Sequence, residues 1–232
     1  MHAQNGYFNV GPEDLEDQTL AELAGLQSLP LRCVGIDLSG QNLSRISLTG
    51  AHFERCILTS ADFTAANLIN TRWVSCRAGE ATFRSAALTD SGFDRCDLNN
   101  TNWQRSKVAH VRFEGCKLTG ANFGDVSALG LSFFDCLLNS AMLSGISFYK
   151  SELHKIDFSD ADLTYCDFRK AVFVEGGSLS MARVNNARFD DADLREASMQ
   201  GLRLVDAKLF KGAIISRSQA GMLLAGLGLT VL

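Results

Sequence analysis

An apolar residue recurs at every fifth position from Leu38 to Phe173. The series begins Leu38, Leu43, Leu48, Phe53, Leu58, Phe63, Leu68, Trp73 and ends Leu163, Phe168, Phe173. All 28 members are apolar, and only Ala78 and Ala128 are small. Two residues before each of these centres lies a second constrained position, filled by Ala51, Cys56, Ala61, Ala66, Thr71, Cys76, Ala81 and Ala86 among others. The residue between is often Asp or Asn, as at Asp62, Asn67, Asp97, Asn102, Asn122, Asp162 and Asp167. The two residues after each centre are mostly polar or Gly. A period of five fits neither a helix, which wants 3.6, nor a flat strand, which wants 2. It fits a chain that turns a corner in every unit. A short extended piece points two side chains inward, and a tight turn follows.

Four such corners close a square coil of 20 residues, and the cysteines support that number independently. Cys56, Cys76, Cys96, Cys116 and Cys136 are spaced by 20, all two residues before a centre. Stacked coils place them in one column. The centre column Phe53, Trp73, Phe93, Phe113, Phe133, Leu153, Phe173 is almost entirely aromatic, so large residues stack in register while small ones fill beside them. After residue 173 the series slips by one, to Leu179, Val184, Phe189, Leu194, Met199, Leu204, Leu209 and Ile214. The extra residue falls in Val174–Ser178, where Gly176-Gly177 absorbs a bulge at little steric cost. The pattern predicts about nine coils over residues 33–215. The only prolines, Pro12 and Pro30, precede them, as a backbone committed to hydrogen-bonded ladders requires.

An open coil needs caps at both ends. Residues 1–32 form an N-terminal segment in which Gly11-Pro12-Glu13-Asp14, followed by Leu15, Leu20, Leu23 and Leu26, predicts a short helix. Residues 216–232 form a C-terminal segment. Ser216 caps a helix through about Ala225, ended by Gly226. Its apolar residues exceed what one capping face needs, so Met222, Leu223 and Leu227 are the candidate dimer interface.

Charge narrows the function. Residues 1–30 hold five acids and no Lys or Arg, while residues 31–232 hold 22 basic against 21 acidic residues. The body is near neutral, which signals neither a nucleic-acid-binding protein nor a strongly acidic mimic. No run of about 18 apolar residues is present, and the N-terminus lacks the basic and apolar regions of a signal peptide. A cytoplasmic protein without membrane contact is expected, its odd seven cysteines reduced.

The run Ala61-Asp62-Phe63-Thr64-Ala65-Ala66-Asn67-Leu68 and the run Ala161-Asp162-Leu163 resemble the pentapeptide-repeat family over about residues 33–215. The resemblance implies an all-β fold, a right-handed quadrilateral parallel β-helix; the handedness comes from the family alone. The tail Gly212-Ala213-Ile214-Ile215-Ser216-Arg217-Ser218-Gln219-Ala220, ending Leu227-Gly228-Leu229, is similar to the quinolone-resistance branch. Members of that branch imitate B-DNA, bind DNA gyrase or topoisomerase IV, and dimerise through the C-terminal helix. The resemblance therefore implies a non-enzymatic binding protein directed at a topoisomerase. The near-neutral body departs from that pattern and leaves a rigid protein-interaction scaffold or effector as the alternative.

No enzyme chemistry emerges. His2, His52, His110 and His154 read as solvated surface residues, and no nucleophile–base pair can be placed by spacing. No P-loop or dinucleotide fingerprint occurs, and no cofactor or metal is expected. Sugar-cleaving β-helices build clefts from larger, uneven coils, unlike these even ones. The cysteine column reads as small apolar filler, because rungs ~4.8 Å apart exceed disulfide Cβ spacing. On the surface, Leu129, Phe134, Leu137, Met142 and Tyr149 crowd about one coil. They are either scattered surface apolars or a partner site. Acids are densest near the C-terminus, and Asp157, Asp160 and Asp162 join them as the candidate partner surface.

Overall fold

The computed structural model describes residues 3–4, 6–203, 206–226 and 228–230. The fold is a parallel β-solenoid of about nine turns with short helices near the termini. The chain divides into two compact units, Met1–Ser132 and Phe133–Leu232.

In the first unit, strands β3 (Leu31–Val34), β4 (His52–Glu54), β5 (Arg72–Val74), β6 (Gly92–Asp94) and β7 (Arg112–Glu114) stack in parallel, each 20 residues beyond the last. The other three faces pair through single bridges in the same register, such as Asp37 with Ile57, Asn42 with Asp62 and Ser47 with Asn67. The square 20-residue coil follows. Each centre donates its N–H to the coil above, as Leu58 to Arg77 O at 2.6 Å. The residue before it donates to the coil below, as Ile57 to Ile36 O at 2.9 Å. Within each unit an inner rung is bonded to both neighbours, so the narrow interior leaves few backbone groups unpaired.

The corner is made by one residue per unit, two places after the centre. Its φ is positive at Ser60 (57°), Ala65 (58°), Asn70 (59°) and onward through both units. On three of four faces a turn closes across it, as from Ala61 N to Leu58 O at 3.0 Å. Such a turn requires positive φ at its third residue and ordinarily recruits Gly. Many of these corners carry Arg, Asp, Ser or Lys instead. The left-handed backbone costs them ~1–2 kcal/mol each, which the ladder and the buried centre offset. The polar residue before the centre supports the same turn. Its side chain accepts from the N–H two residues on, as in Asp62 to Thr64 N (2.8 Å) and Asn42 to Ser44 N (3.0 Å).

Every centre from Leu38 to Met199 is buried except Ala128, which is half-buried. Two aromatic columns face each other across the first unit. Phe53, Trp73, Phe93 and Phe113 stack at 4.1–5.5 Å, and Phe63, Phe83, Trp103 and Phe123 stack at 4.2–5.5 Å. Edge-on contacts between columns, such as Trp103 on Phe113 at 5.3 Å, lock them together. Both tryptophans follow a buried Thr by two residues. Their indole N–H groups donate to Thr71 Oγ1 (2.9 Å) and Thr101 Oγ1 (2.7 Å).

The N-terminal cap differs from the expected single helix. β1 (Ala3–Gln4) and β2 (Tyr7–Val10) form an antiparallel hairpin, and β2 pairs in parallel with β3. A 3-10 turn spans Pro12–Leu15, and α1 spans Leu20–Leu26. The helix restarts because Thr19 and Glu22 form a capping box. Leu20 and Leu23 are buried, while Leu26 is exposed.

β8 (Ser132–Phe134) leads into the second unit, where β9 (Glu152–Asp157) pairs in parallel with β10 (Val172–Ser178). The expected bulge is present: the register shifts between Val174 and Gly177, and Gly176 and Gly177 have φ of 99° and 135°. The aromatic column here is Phe148, Phe168, Phe189 and Phe210, stacked at 4.6–4.9 Å. This corrects the end of the repeat series. Phe189 pairs 21 residues on, with Phe210 rather than Leu209. Asp193 bridges Ile214, so Ile214 lies outside the centre column and is half exposed. A second one-residue insertion therefore lies between Met199 and Phe210, the span that holds the 3-10 turn Ala207–Phe210. Leu204 lies outside the described residues.

α2 (Arg217–Gly226) starts as expected. Ser216 Oγ accepts from Gln219 N (3.2 Å), and Gln219 Oε1 accepts from Ser216 N (2.6 Å). The buried Gln219 amide then donates to Leu194 O (2.6 Å) and Ala197 O (2.7 Å). It closes carbonyls that the end of a coil would leave open.

Candidate partner-binding surface

The five apolar candidates are all exposed, Leu129 in the first unit most of all at 75%. In the second unit, Phe134, Leu137, Met142 and Tyr149 stand one on each face of a single coil, since a corner separates each from the next. The structure does not gather them into one patch. Each instead has its own neighbours. Phe134 lies 5.1 Å from the His154 ring. Tyr149 receives the cations of Lys150 (5.1 Å) and Arg169 (5.3 Å) over its face. Leu137 bridges to Asp157, and Met142 bridges to Asp162.

The acidic candidates are largely engaged within the chain. Asp157 Oδ1 accepts from Ser159 N (2.9 Å) and Ser159 Oγ (2.6 Å). Asp162 Oδ1 accepts from Thr164 N (3.1 Å) and Oγ1 (2.6 Å), and its Oδ2 meets Arg183 at 3.1 Å. Asp160 stands exposed at a corner with φ of 58°. Further along, Asp167 pairs with Arg169 (2.7 Å), Asp190 with Arg188 (3.1 Å) and Asp193 with Arg195 (2.6 Å). The guanidinium beside each holds these three carboxyls below their ordinary pKa. Acid density in the sequence is therefore not an anionic stripe. Much of it builds turns, and much of it is neutralised on the same face.

Of the histidines, His110 is exposed and His154 meets Glu152 at 3.3 Å; His2 lies outside the described residues. His52 is not the solvated residue expected. The hairpin brings Tyr7 to 6.2 Å from its ring, and its Nε2 is buried without a hydrogen-bond partner. Burial and then the charge of Arg32 hold its pKa below the ordinary value, with Glu54 pulling the other way.

All seven cysteines are free and buried. The column thiols donate weakly to carbonyls, as Cys76 to Phe53 O at 3.5 Å. Burial pushes the thiols of Cys33 and Cys166 up to about 12. Hydrogen bonds from Cys56 and Cys96 pull Cys76 the other way, and burial opposes that pull. For Cys33 and Cys166 the shift lowers the thiolate fraction at pH 8 about a thousandfold relative to a free thiol. Burial denies reagents access to the rest. A colorimetric disulfide reagent at pH 8 is expected to find less than one reactive thiol per native chain and all seven after guanidinium unfolding. Rapid reaction of several native thiols would mean that the coils open readily. Among the described residues, no group of three or more His, Cys, Asp or Glu could hold a metal. Nor is any helix among them long and apolar enough to cross a membrane.

At the C-terminal end, Leu223 faces inward and is only 6% exposed. It completes the chain's own core and leaves the surface that a second copy could meet. Met222, 48% exposed, stays on that surface beside the exposed Leu224. Leu227 lies outside the described residues.

Comparison with known proteins agrees with this geometry. The family described as Pentapeptide repeat region matches residues 46–123, and that described as Pentapeptide repeats (8 copies) matches 141–175 and 178–209. Together they cover more than half of the chain. No curated protein matches. Among solved structures, full-length QnrB1, a plasmid-mediated fluoroquinolone resistance protein, superposes with a TM-score of 0.73 at 23% identity, covering 85% of this chain and 100% of QnrB1. A trypsin-treated variant of QnrB1 gives a TM-score of 0.69 at 25% identity, covering 88% of this chain and 98% of the variant. With its 20-residue coils, one left-handed corner per five residues and these matches, the chain belongs to the pentapeptide-repeat family.

Proposed function

We propose that this chain is a non-enzymatic binding protein of the cytoplasm whose partner is DNA gyrase or topoisomerase IV, and that it protects that partner from quinolone-type inhibitors. The observation that supports the reading is the likeness to QnrB1, which extends over the whole of that resistance protein. DNA mimicry would have to rest on acids that make no ion pair among the described residues, such as Asp160, Asp191 and Glu196. The remaining acids of the second unit are mostly paired. A homodimer would be joined through Met222 and its neighbours at the C-terminal end.

The paired acids favour a second reading, a rigid scaffold or effector that binds an unrelated protein. Its contacts would be the exposed Leu129, Phe134, Leu137, Met142 and Tyr149. A supercoiling and drug-induced cleavage assay with purified gyrase of the same organism, with and without a fluoroquinolone, separates the two. Relief of drug-stabilised cleavage at micromolar protein or below is the expected result. A flat titration would discard the topoisomerase reading and leave the scaffold.

A further inference from the structure

The Phe53 face of the first unit carries two outward columns, one on each side of its centres. The first is mainly basic and contains Arg72 and Arg112, with Gly92 between them in register. The second contains Val74, Asp94 and Glu114. Gly92 removes one side chain from the basic column, and Val74 puts a short apolar one in the acidic column. Together they leave an open depression of about 450 Å³, within the range of sites that hold small ligands or a few residues of chain. His110 and Asp90 border it from the adjacent corner.

Elsewhere on this face the charges are satisfied. Arg32 pairs with Glu54 (2.7 Å) and Asp94 with Arg95 (2.6 Å). Arg72 folds across Gly92 and donates to Thr71 O (3.1 Å) and Asp90 O (2.7 Å). Arg112 and Glu114 are the exception. Both are exposed, and neither side chain makes an ion pair or hydrogen bond among the described residues. They lie two apart on β7, so their side chains leave the same side of the strand ~6.6 Å apart. Any extended chain presents its own residues i and i+2 at that spacing. A lone oxyanion is a poor fit, because Asp90, Asp94 and Glu114 also border the depression.

We propose that the Phe53 face around Gly92 is a docking site for an extended segment of a partner protein bearing an acidic and a basic side chain two residues apart. The acid forks onto the Arg112 guanidinium, the base meets Glu114, and the segment's backbone runs along the depression beside the Arg72 side chain that lies over Gly92. A like-charged segment sets one of its charges against its own sign. This does not depend on the partner being a topoisomerase.

The test is NMR titration of the full-length labelled protein with blocked pentapeptides Gly-Glu-Gly-Lys-Gly, Gly-Glu-Gly-Glu-Gly and Gly-Lys-Gly-Lys-Gly. The mixed peptide is expected to shift the Gly92 amide and the Arg112 side-chain N–H saturably, at least about five-fold tighter than either like-charged peptide. Arg112→Glu and Glu114→Arg each abolish that preference. The doubly swapped variant restores it, because the mixed peptide then binds in the reverse direction. Equal binding of all three peptides, or no shift at Gly92, would overturn the proposal. So would a doubled mass without peptide that Arg112→Glu abolishes, since β7 of a second copy itself carries Arg112 and Glu114 at this spacing.

Discussion

Trp103→Ala is expected to remove about 3–5 kcal/mol of stability, a large part of what a domain of this kind possesses. Trp103 is 0% exposed and lies between Phe83 (4.2 Å) and Phe123 (5.5 Å) in its own column. It also meets Phe93 (5.4 Å) and Phe113 (5.3 Å) edge-on from the facing column. Alanine would leave a cavity that rungs fixed by ladders on every face cannot collapse to fill. Trp103→Phe separates packing from polarity. It keeps a ring in the stack, gives up the volume of the indole's second ring, and loses the bond from Nε1 to Thr101 Oγ1. That bond is worth ~1 kcal/mol, and Thr101 keeps its own bond to Leu98 O at 2.7 Å. Urea denaturation followed by circular dichroism measures both. A cost below ~1 kcal/mol for the alanine variant would mean that neighbouring coils, which touch only in sequence along the stack, do not rely on the aromatic columns.

The interior was legible because one rule governs it. A five-residue step with apolar centres fixes which residues point inward, and the 20-residue cysteine spacing fixes which lie above one another. The indole partners were found only in the structure, although both tryptophans follow a Thr by two where Ala or Cys is usual. Three features were not read. Asn5-Gly6 just before the largely apolar run Tyr7–Val10 is a hairpin signal, overshadowed by the helix start at Pro12. The second insertion left no mark, because Leu209 and Ile214 are apolar neighbours of Phe210 and Ile215. Hydrophobicity does not choose between the two registers there, whereas the stack of Phe210 on Phe189 at 4.6 Å does. The left-handed corners were hidden because Gly fills only some of them. The ladder imposes the conformation on Arg55, Asp90 or Lys150 as readily as on Gly115.

The surface was harder to read than the core for a physical reason. An acid in this fold has two uses close to home. Placed before a centre, it accepts from the N–H two residues on, and placed two from an Arg it pairs along the rung. Asp157-x-Ser159, Asp162-x-Thr164, Asp167-x-Arg169 and Asp193-x-Arg195 all show that spacing in the sequence, and all four make the bond. Counting acids along the chain thus overstates the field presented to a partner. Likewise, outward apolar residues close in sequence are carried to different faces by the corners between them.

Gly177→Ala is expected to cost about 2–4 kcal/mol, more than Gly176→Ala. At Gly177, φ is 135°, and a Cβ would come within 2.8 Å of Ile156 O and 3.1 Å of the Phe173 ring. Strain in that region alone costs ~1–3 kcal/mol, and a backbone oxygen on the next rung does not yield as a flexible side chain does. At Gly176, φ is 99° with nothing within 4 Å of a Cβ, so alanine there meets backbone strain only, about 1–2 kcal/mol. The difference between the two denaturation midpoints therefore reports the close approach itself. Equal losses would place the constraint in the backbone conformation. The reason the bulge matters lies beyond it. One extra residue is absorbed between Val174 and Gly177, and pairing resumes with Gly177 opposite Ile156 and Ser178 opposite Asp157 and, a coil later, Ser198 opposite Ser178. Were the extra residue left in the ladder, every later side chain would change sides. Leu179, Val184 and Phe189 would turn outward and their polar neighbours inward. The glycine pair keeps the coils that follow on the same core.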